Sequence, residues 1–389
     1  KVEFTDNLKL DLERRDFTIN AMAYNDNRGL VDEFGGIKDL KDGIIRCVGD
    51  AGQRFDEDAL RMLRAVRFAG QLGFAIEEKT REAIVERADH LKNISAERIR
   101  VELTKLLVSK EAGRIRDAYK TGMTKYFLPE LDAAMQTEQK NPHHIYTVGE
   151  HSICGIELMN CFFGITSDKK IYDKIPENVL ETAKKLAAKM DKKQQTVLCM
   201  TMLLHDIAKP AVMTVDEKGI GHFIGHPAQS EKMAKKIMRR LTFDNDSISK
   251  ACRLIRFHDY RMEDKSRAFR RAVSKIGADI MDMLFLVEYA DVLAQSDMQR
   301  DEKLAKIDAG VKRFEYIMAN AQPLSIKDLA VTGSDLIAAG VKPGPKMGEI
   351  LKAMLDKVLD EPELNTKDGL LNYLKCENGN KNVEENEDL

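Results

Sequence analysis

Apolar side chains recur every three or four residues along most of this chain, which is the spacing of an amphipathic α-helix. One clear stripe consists of Leu60, Leu63, Val66 and Leu72. The pattern predicts helices over residues 57–72, 78–90, 95–108 and 111–121, and then long helices to about residue 375. Helix-breaking prolines are sparse in this part of the chain. We therefore predict a mainly α-helical fold.

The first 50 residues follow a different pattern and predict a small α/β portion. RRDFTINAMAYN (residues 14–25) resembles a helix, whereas GLVDEF (29–34) and IIRCVG (44–49) are typical of short strands. Two strands cannot close a sheet or cover their own edges. We expect this portion either to pair with another element or to be the remnant of a larger α/β head that begins before this sequence.

Changes in composition divide the chain into five predicted segments. They are a head remnant (1–54), a helical neck (55–140), a second helical domain (141–300), a helical body and tail (301–375) and an acidic, disordered tail (376–389). The NPHH sequence at 141–144 marks the boundary between the neck and the second helical domain. At 389 residues the chain is long enough for two or more domains.

Composition narrows the setting in which the protein works. Charged residues make up 32% of the chain and its net charge is −2, so contact with nucleic acid has to rest on local patches. The six cysteines show no CxxC pairing, which predicts reduced thiols. No apolar run approaches the ~20 residues of a membrane span, and the first residues resemble neither a signal nor a transit peptide. We expect a cytoplasmic protein without membrane contact.

The segment EDALRMLRAVRFAGQLGF (residues 57–74) combines two acids with arginines at every third position. Asp58 and Arg61 are predicted in the first turn of a helix, where an acid favours the helix dipole and a surface ion pair contributes little. A carboxylate beside a guanidinium also presents an acceptor and a donor together. That combination matches the base edges of cytosine and adenine and mismatches those of guanine and uracil. Arg64 and Arg67 follow on the same side, where they can meet phosphates or nearby acids.

Three other segments contain polar residues suited to a nucleotide. In RRDFTINAMAYN, Asp16 and Asn20 would share one helical face and can hold a ribose 2′-hydroxyl, while Arg15 can hold a triphosphate. DEFGGIKDL contains Asp32, Gly36 and Asp39. SAERIRVEL (95–103) follows the arginine-rich segment. In this order the four segments resemble the second to fifth motifs of the bacterial tRNA nucleotidyltransferases, which comprise CCA-adding enzymes and closely similar poly(A) polymerases.

This resemblance implies a reaction and a role for most of these residues. Asp16 and Asn20 would select a ribonucleotide, and Asp58 and Arg61 would read the base of CTP and then of ATP. The loop that helps the enzyme switch from C to A would contain Asp32, Gly36 and Asp39. The partners would be tRNA, CTP and ATP, and the reaction would be nucleotide addition at the 3′ end of tRNA.

The first motif of this family, a glycine-rich turn followed by Asp-x-Asp, is not found in the sequence. In the family those carboxylates hold the Mg²⁺ ions of nucleotidyl transfer, whose ligands would then lie outside this chain. Asp56-Glu57-Asp58 lacks the glycine turn and the preceding strand, so we reject it as the metal pair. We therefore expect that this polypeptide alone does not add nucleotides.

Seven of the eight histidines lie between His143 and His258, which predicts a metal or phosphate site in that region. The candidate metal ligands are His151, His205, Asp206 and Asp291, with His226, His258 and Lys209 as secondary candidates. LLHDIAKP resembles the signature of an HD-type phosphohydrolase domain. Such a domain implies a divalent metal, of a kind that the sequence does not specify, which activates water for attack on phosphorus. Alternatively, the HD fold persists with a degraded site and serves as an RNA-binding body. For Lys209, the alternative to a phosphate contact is a solvated lysine.

Near the C-terminus, LAVTGSDLIAAGVKPGPKMGEILKAML places glycines and lysines just before a predicted helix. Exposed N–H groups at helix N-termini suit phosphate, and the segment resembles the tRNA-holding body of the same family. The RNA-binding candidates are Lys342, Gly344, Lys346 and Gly348. An ordinary helix–turn–helix packing unit is the alternative. Three functions are thus considered: a tRNA nucleotidyltransferase, a metal-dependent phosphohydrolase of nucleotides or RNA ends, and a non-catalytic tRNA-binding module.

Overall fold

The computed structural model describes residues 7–141, 145–166, 168–263 and 265–376, and it is mainly α-helical, as predicted. The helices up to residue 140 are α1 (Leu8–Glu13), α2 (Gly36–Asp42), α3 (Ala51–Glu57), α4 (Leu60–Leu72), α5 (Glu78–Arg87), α6 (Ala96–Leu107), α7 (Ile115–Lys120), α8 (Thr124–Phe127) and α9 (Pro129–Gln136). The next are α10 (Val148–Phe162), α11 (Lys169–Tyr172), α12 (Glu177–Ala187), α13 (Lys192–Leu204), α14 (Lys209–Val212), α15 (His226–Arg240) and α16 (Asn245–Phe257). The last are α17 (Ser266–Ile276), α18 (Met281–Leu293), α19 (Arg300–Ala319), α20 (Gly333–Ala338) and α21 (Pro345–Asp360).

The strands form three two-stranded sheets. They are β1 (Met22–Asn25), β2 (Gly29–Asp32), β3 (Ile44–Ile45), β4 (Ala75–Ile76), β5 (Thr214–Val215) and β6 (Gly221–His222). β1 and β2 form an antiparallel hairpin, β3 pairs with β4 in parallel, and β5 and β6 form a second hairpin. Both predicted strands are present in shortened form, as β2 and β3.

The helix predicted over residues 14–25 is wrong. The chain forms a single 3₁₀ turn at Thr18–Asn20 and then enters β1. β1 pairs with β2, with Met22 opposite Asp32. The backbone N–H and C=O groups of this strand therefore form hydrogen bonds across the hairpin, where a helix would have formed them within the segment. Non-local pairing of this kind overrides the local preference of the segment.

The helix predicted over residues 57–72 is interrupted at its start. α3 ends at Glu57, Asp58 adopts an extended backbone (φ −153°, ψ 99°), and α4 begins at Leu60. Asp58 and Arg61 therefore do not share the first turn of one helix, which corrects the expectation from the sequence. The break turns the Asp58 side chain toward α6 instead of along α4, where it accepts a hydrogen bond from Arg98.

Contacts divide the chain into two compact units. The first comprises Lys1–Asp259 and Met283–Ala305, and the second comprises Tyr260–Asp282 and Lys306–Leu389. The head, the neck and most of the second helical domain thus form one unit, whereas α17 belongs with the C-terminal helices. Two predicted features fall mostly on residues outside the description: the NPHH boundary, of which only Asn141 is described, and the acidic tail, of which only Cys376 is described.

The core of the first unit surrounds three long helices, α10, α13 and α18. Apolar side chains cover all sides of α10 and α13, which is typical of helices enclosed by protein. α18 contributes a continuous buried run over residues 283–287. All six cysteines are free, as predicted. Among the described helices, none has the length and apolar character needed to cross a bilayer.

Candidate functional site

A cavity of about 480 Å³ in the first unit brings together residues from three of the four motif segments, one of which is SAERIRVEL. Among the predicted nucleotide-binding residues, it is lined by Arg15, Asp16, Asn20, Asp58, Arg61 and Arg64. Arg14, Leu60 and Arg98 complete its wall. Its size lies in the range of small-molecule sites, roughly 300–1,000 Å³. Segments up to 84 positions apart therefore meet at one polar concavity.

Asp16 is the buried anchor of this cavity. Its Oδ1 accepts hydrogen bonds from the Phe17 backbone N–H at 3.0 Å and from Asn20 Nδ2 at 3.1 Å, while Oδ2 accepts from Arg64 Nε at 2.8 Å. The predicted pairing of Asp16 with Asn20 is thus found, although a 3₁₀ turn and not a helix produces it. This network fixes three of the predicted side chains relative to one another.

Asp58 and Arg61 face the same cavity but contact different partners. Asp58 accepts a hydrogen bond from Arg98 Nη2 at 2.7 Å and one from the Leu60 backbone N–H at 3.2 Å. Arg61 donates to Glu57 at 2.6 Å and to two backbone carbonyls, those of Arg54 and Arg14, at 3.0 and 2.8 Å. The two groups are held separately, as an acceptor and a donor on the wall of one cavity.

Arg67 does not reach the cavity. Its guanidinium is buried, donates to Glu102 at 2.5 Å and to Gln71 at 2.5 Å, and lies 3.7 Å from the centre of the Phe68 ring. Burial lowers the pKa of Arg67, against the opposing effect of Glu102. These contacts make Arg67 a link between α4 and α6, and it does not line the cavity.

The three predicted switching residues are engaged in contacts that hold α2. Asp32 accepts hydrogen bonds from the backbone N–H groups of Gly36 at 2.7 Å and Ile37 at 2.9 Å, which caps the start of α2. Asp39 is buried and accepts from the Thr18 hydroxyl at 2.7 Å and from Arg46 Nε at 3.0 Å. Gly36 and Asp39 therefore belong to a helix packed against the turn that precedes β1, and not to a free loop.

A second candidate site in the first unit is formed by the histidines. In His205, His226 and His258, Nδ1 lies 2.8–2.9 Å from a backbone carbonyl, that of Met202, Phe223 or Ile255 respectively. Nδ1 of His151 lies 3.3 Å from the Ala294 carbonyl. Because a carbonyl only accepts, these contacts place a proton on Nδ1 and direct Nε2 inward as a potential ligand.

The inward Nε2 atoms converge in two groups that share Asp206. In the first, His151 Nε2 lies 3.2 Å from His205 Nε2 and 2.8 Å from Asp291 Oδ1, and His205 Nε2 lies 3.3 Å from Asp206 Oδ2. The predicted set of four ligands is therefore brought together. Potential ligands this close, without a proton or a cation between them, would repel one another.

In the second group, His226 Nε2 lies 3.3 Å from His258 Nε2 and 3.3 Å from Asp206 Oδ1. His258 Nε2 is 3.7 Å from the same oxygen, which is buried and has no hydrogen-bond donor in place among the described residues. The secondary candidates thus form a second cluster across the Asp206 carboxylate. Lys209 is buried as well, with Nζ 2.7 Å from Asp206 Oδ2 and 2.9 Å from Gln139 Oε1, so it is not a solvated lysine.

The acids and imidazoles of this centre shift each other's protonation. Burial lowers the pKa of His205, but Asp206 and Asp291 outweigh burial and raise it to about 10. Burial raises the pKa of Asp206, but His205 and Lys209 outweigh it and hold that pKa well below its usual range. A protonated imidazole therefore supplies the positive charge next to these carboxylates that a bound cation would otherwise supply.

The C-terminal candidates lie around the start of α21 in the second unit, with Lys342 and Gly344 before the helix and Lys346 and Gly348 in its first turns. Lys342, Gly344, Lys346 and Gly348 are all exposed, and Gly344 precedes α21 with a φ of 153°. α21 has 16 residues, no side chain caps its N-terminus, and the partial positive charge of a helix dipole lies at that end.

Two residues of the sites were missed from the sequence. Arg98, which pairs with Asp58, was noted only as part of SAERIRVEL, and Gln139, which holds Lys209, was not considered. Arg98 lies 40 positions from its partner and Gln139 lies 70 positions from Lys209. No local pattern marks either contact, because each depends on how separate elements pack.

Family profiles of nucleotidyltransferases and poly(A) polymerases match three parts of the chain. Residues 1–46 match the "Poly A polymerase head domain" profile, residues 73–135 match "Probable RNA and SrmB- binding site of polymerase A", and residues 214–374 match a profile for domain 2 of tRNA nucleotidyltransferases. The CCA-adding enzyme of Bacillus licheniformis is 51% identical over 132 residues, and that of Lactobacillus delbrueckii subsp. bulgaricus is 51% identical over 126. The chain matches about a third of the length of these relatives (33% and 32%).

Longer matches extend along nearly the whole chain. A crystal structure of the CCA-adding enzyme of Bacillus stearothermophilus in complex with CTP superposes with a TM-score of 0.58 over 98% of this chain and 77% of that one. At 23% identity this likeness shows the fold. The A-adding tRNA nucleotidyltransferase of Deinococcus radiodurans is 30% identical over 366 residues, which is 90% of this chain and 75% of that protein. The chain therefore belongs to the family of bacterial tRNA nucleotidyltransferases that comprises the CCA-adding and A-adding enzymes.

Proposed function

We propose that this protein takes part in nucleotide addition at the 3′ end of tRNA, with CTP and ATP as the nucleotides that its head cavity selects. The observation that supports this most strongly is the convergence of Asp16, Asn20, Asp58, Arg61 and Arg64 on one polar cavity. The family supplies the reaction, since a solved CCA-adding relative binds CTP and a longer relative is named as A-adding. The proposed partners are tRNA, CTP and ATP.

In this proposal Asp58 and Arg61 read the edge of the base. Asp58 accepts two hydrogen bonds from described residues, and a carboxylate has about four acceptor positions. Arg61 uses three of the five N–H groups of a guanidinium, so it keeps two for a ligand. An acceptor and a donor thus remain on one wall, which suits cytosine and adenine and disfavours guanine and uracil. Arg15 and Arg64 supply positive charge for the phosphates.

A binding measurement tests the base-reading assignment. Wild-type chain and an Asp58→Asn variant are titrated with CTP, ATP, GTP and UTP, because Asn presents a donor where Asp presents only acceptors. We expect the variant to bind CTP and ATP about tenfold more weakly and to lose their preference over GTP and UTP. Asp42→Asn, an exposed acid at the end of α2, is the matched control. Unchanged selectivity in Asp58→Asn would show that other residues read the base.

Three acids of the described head are held by protein donors. Asp16, Asp32 and Asp39 each accept hydrogen bonds from protein donors with both carboxylate oxygens. No step of nucleotidyl transfer is therefore assigned to these carboxylates. Mg²⁺-dependent incorporation of CTP into tRNA without its CCA end is the assay of the reaction itself, and incorporation by the 389-residue chain would refute the expectation that it is inactive alone.

A second function, metal-dependent hydrolysis of phosphate esters, is proposed for the histidine centre. This function is favoured by the two groups of potential ligands that share the Asp206 carboxylate. Imidazole nitrogens together with a carboxylate oxygen are ligands that suit divalent cations. His151, His205, Asp206 and Asp291 would hold one cation, and Asp206, His226 and His258 would hold another. Such cations lower the pKa of bound water and so supply hydroxide near neutral pH. Lys209, held by Gln139 beside Asp206, would contact a substrate phosphate.

Hydrolysis of a generic phosphodiester tests this second function. Turnover is measured with Mg²⁺, Mn²⁺, Ni²⁺ and Zn²⁺ in turn, for the wild-type chain and for His205→Ala. We expect His205→Ala to abolish turnover, while His90→Ala, which removes a half-exposed histidine outside both groups, leaves it unchanged. Absence of turnover with all four metals would exclude hydrolysis, and the centre would then be structural.

The roles of the switching residues and of the C-terminal RNA-binding candidates belong to the first proposal, nucleotide addition to tRNA. Asp32, Gly36 and Asp39 would act on the switch from C to A by holding α2, and Lys342, Gly344, Lys346 and Gly348 would contact RNA phosphates at the start of α21. The predicted segment boundaries and the cytoplasmic location are also part of it. A salt-dependent affinity for tRNA that falls when Lys342 and Lys346 are replaced by Ala would support the RNA contact.

A further inference from the structure

The residues that follow α18 contact two of the proposed metal ligands from outside the histidine centre. The Ala294 carbonyl lies 3.3 Å from His151 Nδ1, and Gln295 Nε2 donates to Asp291 Oδ2 at 2.8 Å. Gln295 and Asp291 also line a cavity of about 360 Å³ beside the histidine centre. Gln295 is therefore close enough to these ligands to influence how they bind a cation.

Gln295 gives the two oxygens of Asp291 different surroundings. Oδ2 accepts the hydrogen bond from the Gln295 amide, whereas Oδ1 lies 2.8 Å from His151 Nε2 and 3.4 Å from His205 Nε2. The terminal torsion of an aspartate is broad, so a carboxylate without such a partner can turn either oxygen, or both, toward a cation. The hydrogen bond to Oδ2 therefore leaves Oδ1 as the oxygen that faces the imidazoles.

Lys303 determines which end of the Gln295 amide meets Asp291. A glutamine amide can present either its N–H groups or its oxygen, but an ammonium group only donates. Lys303 Nζ lies 2.7 Å from Gln295 Oε1, so the oxygen faces Lys303 and Nε2 faces the carboxylate. The reversed amide would place its oxygen against Asp291 Oδ2 and its N–H groups against the ammonium group, and both contacts would be repulsive. Lys303 therefore acts on Asp291 through Gln295.

The backbone of Gln295 is held as well. Its N–H donates to the Val292 carbonyl at 3.2 Å, and its own carbonyl accepts from Arg300 Nη2 at 3.0 Å. Arg300 and Lys303 both belong to the first turn of α19, so one helix end contacts the backbone and the side chain of the same residue. A group that is fixed in this way keeps its geometry before a ligand binds.

From these contacts we propose that Gln295, oriented by Lys303, is a positioning residue for a cation bound by His151, His205 and Asp291. Gln295 touches neither the cation nor the substrate, and it acts by holding Asp291 with Oδ1 toward the imidazoles. This inference rests on the metal-dependent function proposed for the histidine centre. Hydrogen-bond partners of metal ligands typically contribute roughly 10–100-fold to metal affinity.

The second group of potential ligands supplies an internal control. The side-chain and carbonyl hydrogen bonds of Gln295 described above involve none of Asp206, His226 and His258. A positioning role therefore predicts that only the cation of the first group depends on Gln295. A role limited to packing α19 against the end of α18 predicts instead a lower melting temperature of the metal-free protein and equal weakening of both cations.

Binding of Mn²⁺ to the full 389-residue chain tests this inference without an activity assay. Electron paramagnetic resonance measures the free ion, and His151→Ala and His226→Ala identify the ion held by each group. Gln295→Met keeps the length of the side chain and removes the N–H donor. We expect it to weaken binding of the His151-dependent ion roughly 10–100-fold and to leave any His226-dependent ion nearly unchanged. Gln53→Met, at an exposed glutamine in α3, should change neither.

Lys303→Met separates positioning from simple electrostatics. Loss of a positive charge near the centre would by itself strengthen the binding of a cation, because like charges repel. Positioning predicts the opposite sign, about tenfold weaker binding of the His151-dependent ion, and Lys303→Arg should restore binding as a donor to Oε1. In the Gln295→Met background, Lys303→Met should have no further effect, since Lys303 acts through Gln295. Lys312→Met, at an exposed lysine nine positions further along α19, is the matched control.

The outcomes distinguish a failure of this inference from a failure of the proposed function. If no Mn²⁺ ion depends on His151, both the metal-dependent function and this inference are wrong. If such an ion is bound and Gln295→Met leaves its affinity unchanged, or weakens both ions equally, only this inference is wrong. Unchanged or stronger binding in Lys303→Met would also overturn it.

Discussion

The three arginines of α4 illustrate how one residue type serves different purposes within two helical turns. Successive arginines three positions apart are rotated by about 60° around the helix, so Arg61 and Arg67 point about 120° apart. Arg61 and Arg64 therefore reach the head cavity, while Arg67 turns into the contact with Glu102 on α6. The sequence predicted one side for all three, because a spacing of three residues is close to a helical turn but not equal to it.

Gly36 offers a direct test of the packing that holds the switching residues. A Cβ atom at this position would lie 2.2 Å from the Thr18 carbonyl oxygen and 3.0 Å from Met22 Cγ, so α2 would have to shift. We expect Gly36→Ala to lower the free energy of unfolding by about 1–3 kcal/mol, as overpacking does, when measured by urea denaturation.

Gly348 is the matched control for this substitution. It lies inside α21, and a Cβ added there would meet no atom within 4 Å. Gly348→Ala should raise the free energy of unfolding by about 0.5–1 kcal/mol, because alanine loses less backbone entropy in a helix. Equal effects of the two substitutions would argue against a close contact between Gly36 and Thr18.

The ends of helices account for most differences between the predicted and the observed elements. Apolar spacing continues smoothly from Phe55 to Leu72, yet the backbone leaves the helix at Asp58. The break allows Asp58 to pair with Arg98 on α6. It also allows Arg61 to donate to the backbone carbonyl of Arg54 in the last turn of α3 and to that of Arg14 just after α1. Periodicity reports which side chains are buried, but it does not report the backbone angles between two helices that continue the same stripe.

α16 has an N-cap whose contribution can be measured against pH. Asp244 accepts hydrogen bonds from the Ser247 backbone N–H at 3.1 Å and hydroxyl at 2.7 Å, and Lys193 Nζ lies 2.9 Å away. Partial burial raises the pKa of Asp244, but these hydrogen bonds outweigh it and lower that pKa below its usual value. A depressed pKa in the folded state means that the stabilisation is complete above the pKa of the unfolded chain and is lost as the pH falls through the folded pKa.

Asp244→Ala should therefore lower the free energy of unfolding by about 1 kcal/mol at pH 7, the usual contribution of an N-cap. The difference from wild type should shrink steadily below about pH 4, where the unfolded carboxylate becomes protonated. Asp246→Ala is the control on the same helix, since Asp246 forms only exposed ion pairs with Lys193 and Lys250 and should matter much less. A difference for Asp244→Ala that did not change with pH would contradict the role of the charge.

The histidine centre links distant parts of the first unit. Its groups come from α10, from the end of α13, from the start of α15, from the end of α16 and from α18. His151 and Asp291 are 140 positions apart but 2.8 Å distant. A cation bound there would join helices that hold the core of this unit and would bind the folded state only.

Metal should therefore stabilise the first unit. We expect Mn²⁺ or Zn²⁺ to raise its melting temperature and chelation to lower it, because a ligand at 100 times its Kd adds about 2.7 kcal/mol to the folded state. Replacing Asp206, the carboxylate that both groups share, by Ala should remove the response to metal, whereas replacing the half-exposed His90 should preserve it. Equal metal responses of wild type and Asp206→Ala in a thermal unfolding experiment would show that the ion binds elsewhere.

Local features of the chain were sufficient for its fold class, for the helical spacing and for the residue types of both sites. These properties depend on neighbours within a few positions: a stripe at i, i+3 and i+4, or an acid next to a histidine. That is why Asp16, Asn20, Asp58, Arg61, His205 and Asp206 could be selected from the sequence and from its resemblance to a family. The motif residues keep their order along the chain whatever their three-dimensional arrangement.

Long-range packing settled what those features could not. The pairing of Asp58 with Arg98, the burial of Arg67 against Glu102 and the second group around His226 and His258 each join elements that are tens of residues apart. The strand at Met22–Asn25 likewise exists because β2 offers it a partner. The energy of such contacts depends on which segments pack together in the folded chain. The spacing of residues along the sequence does not specify which distant segments those are.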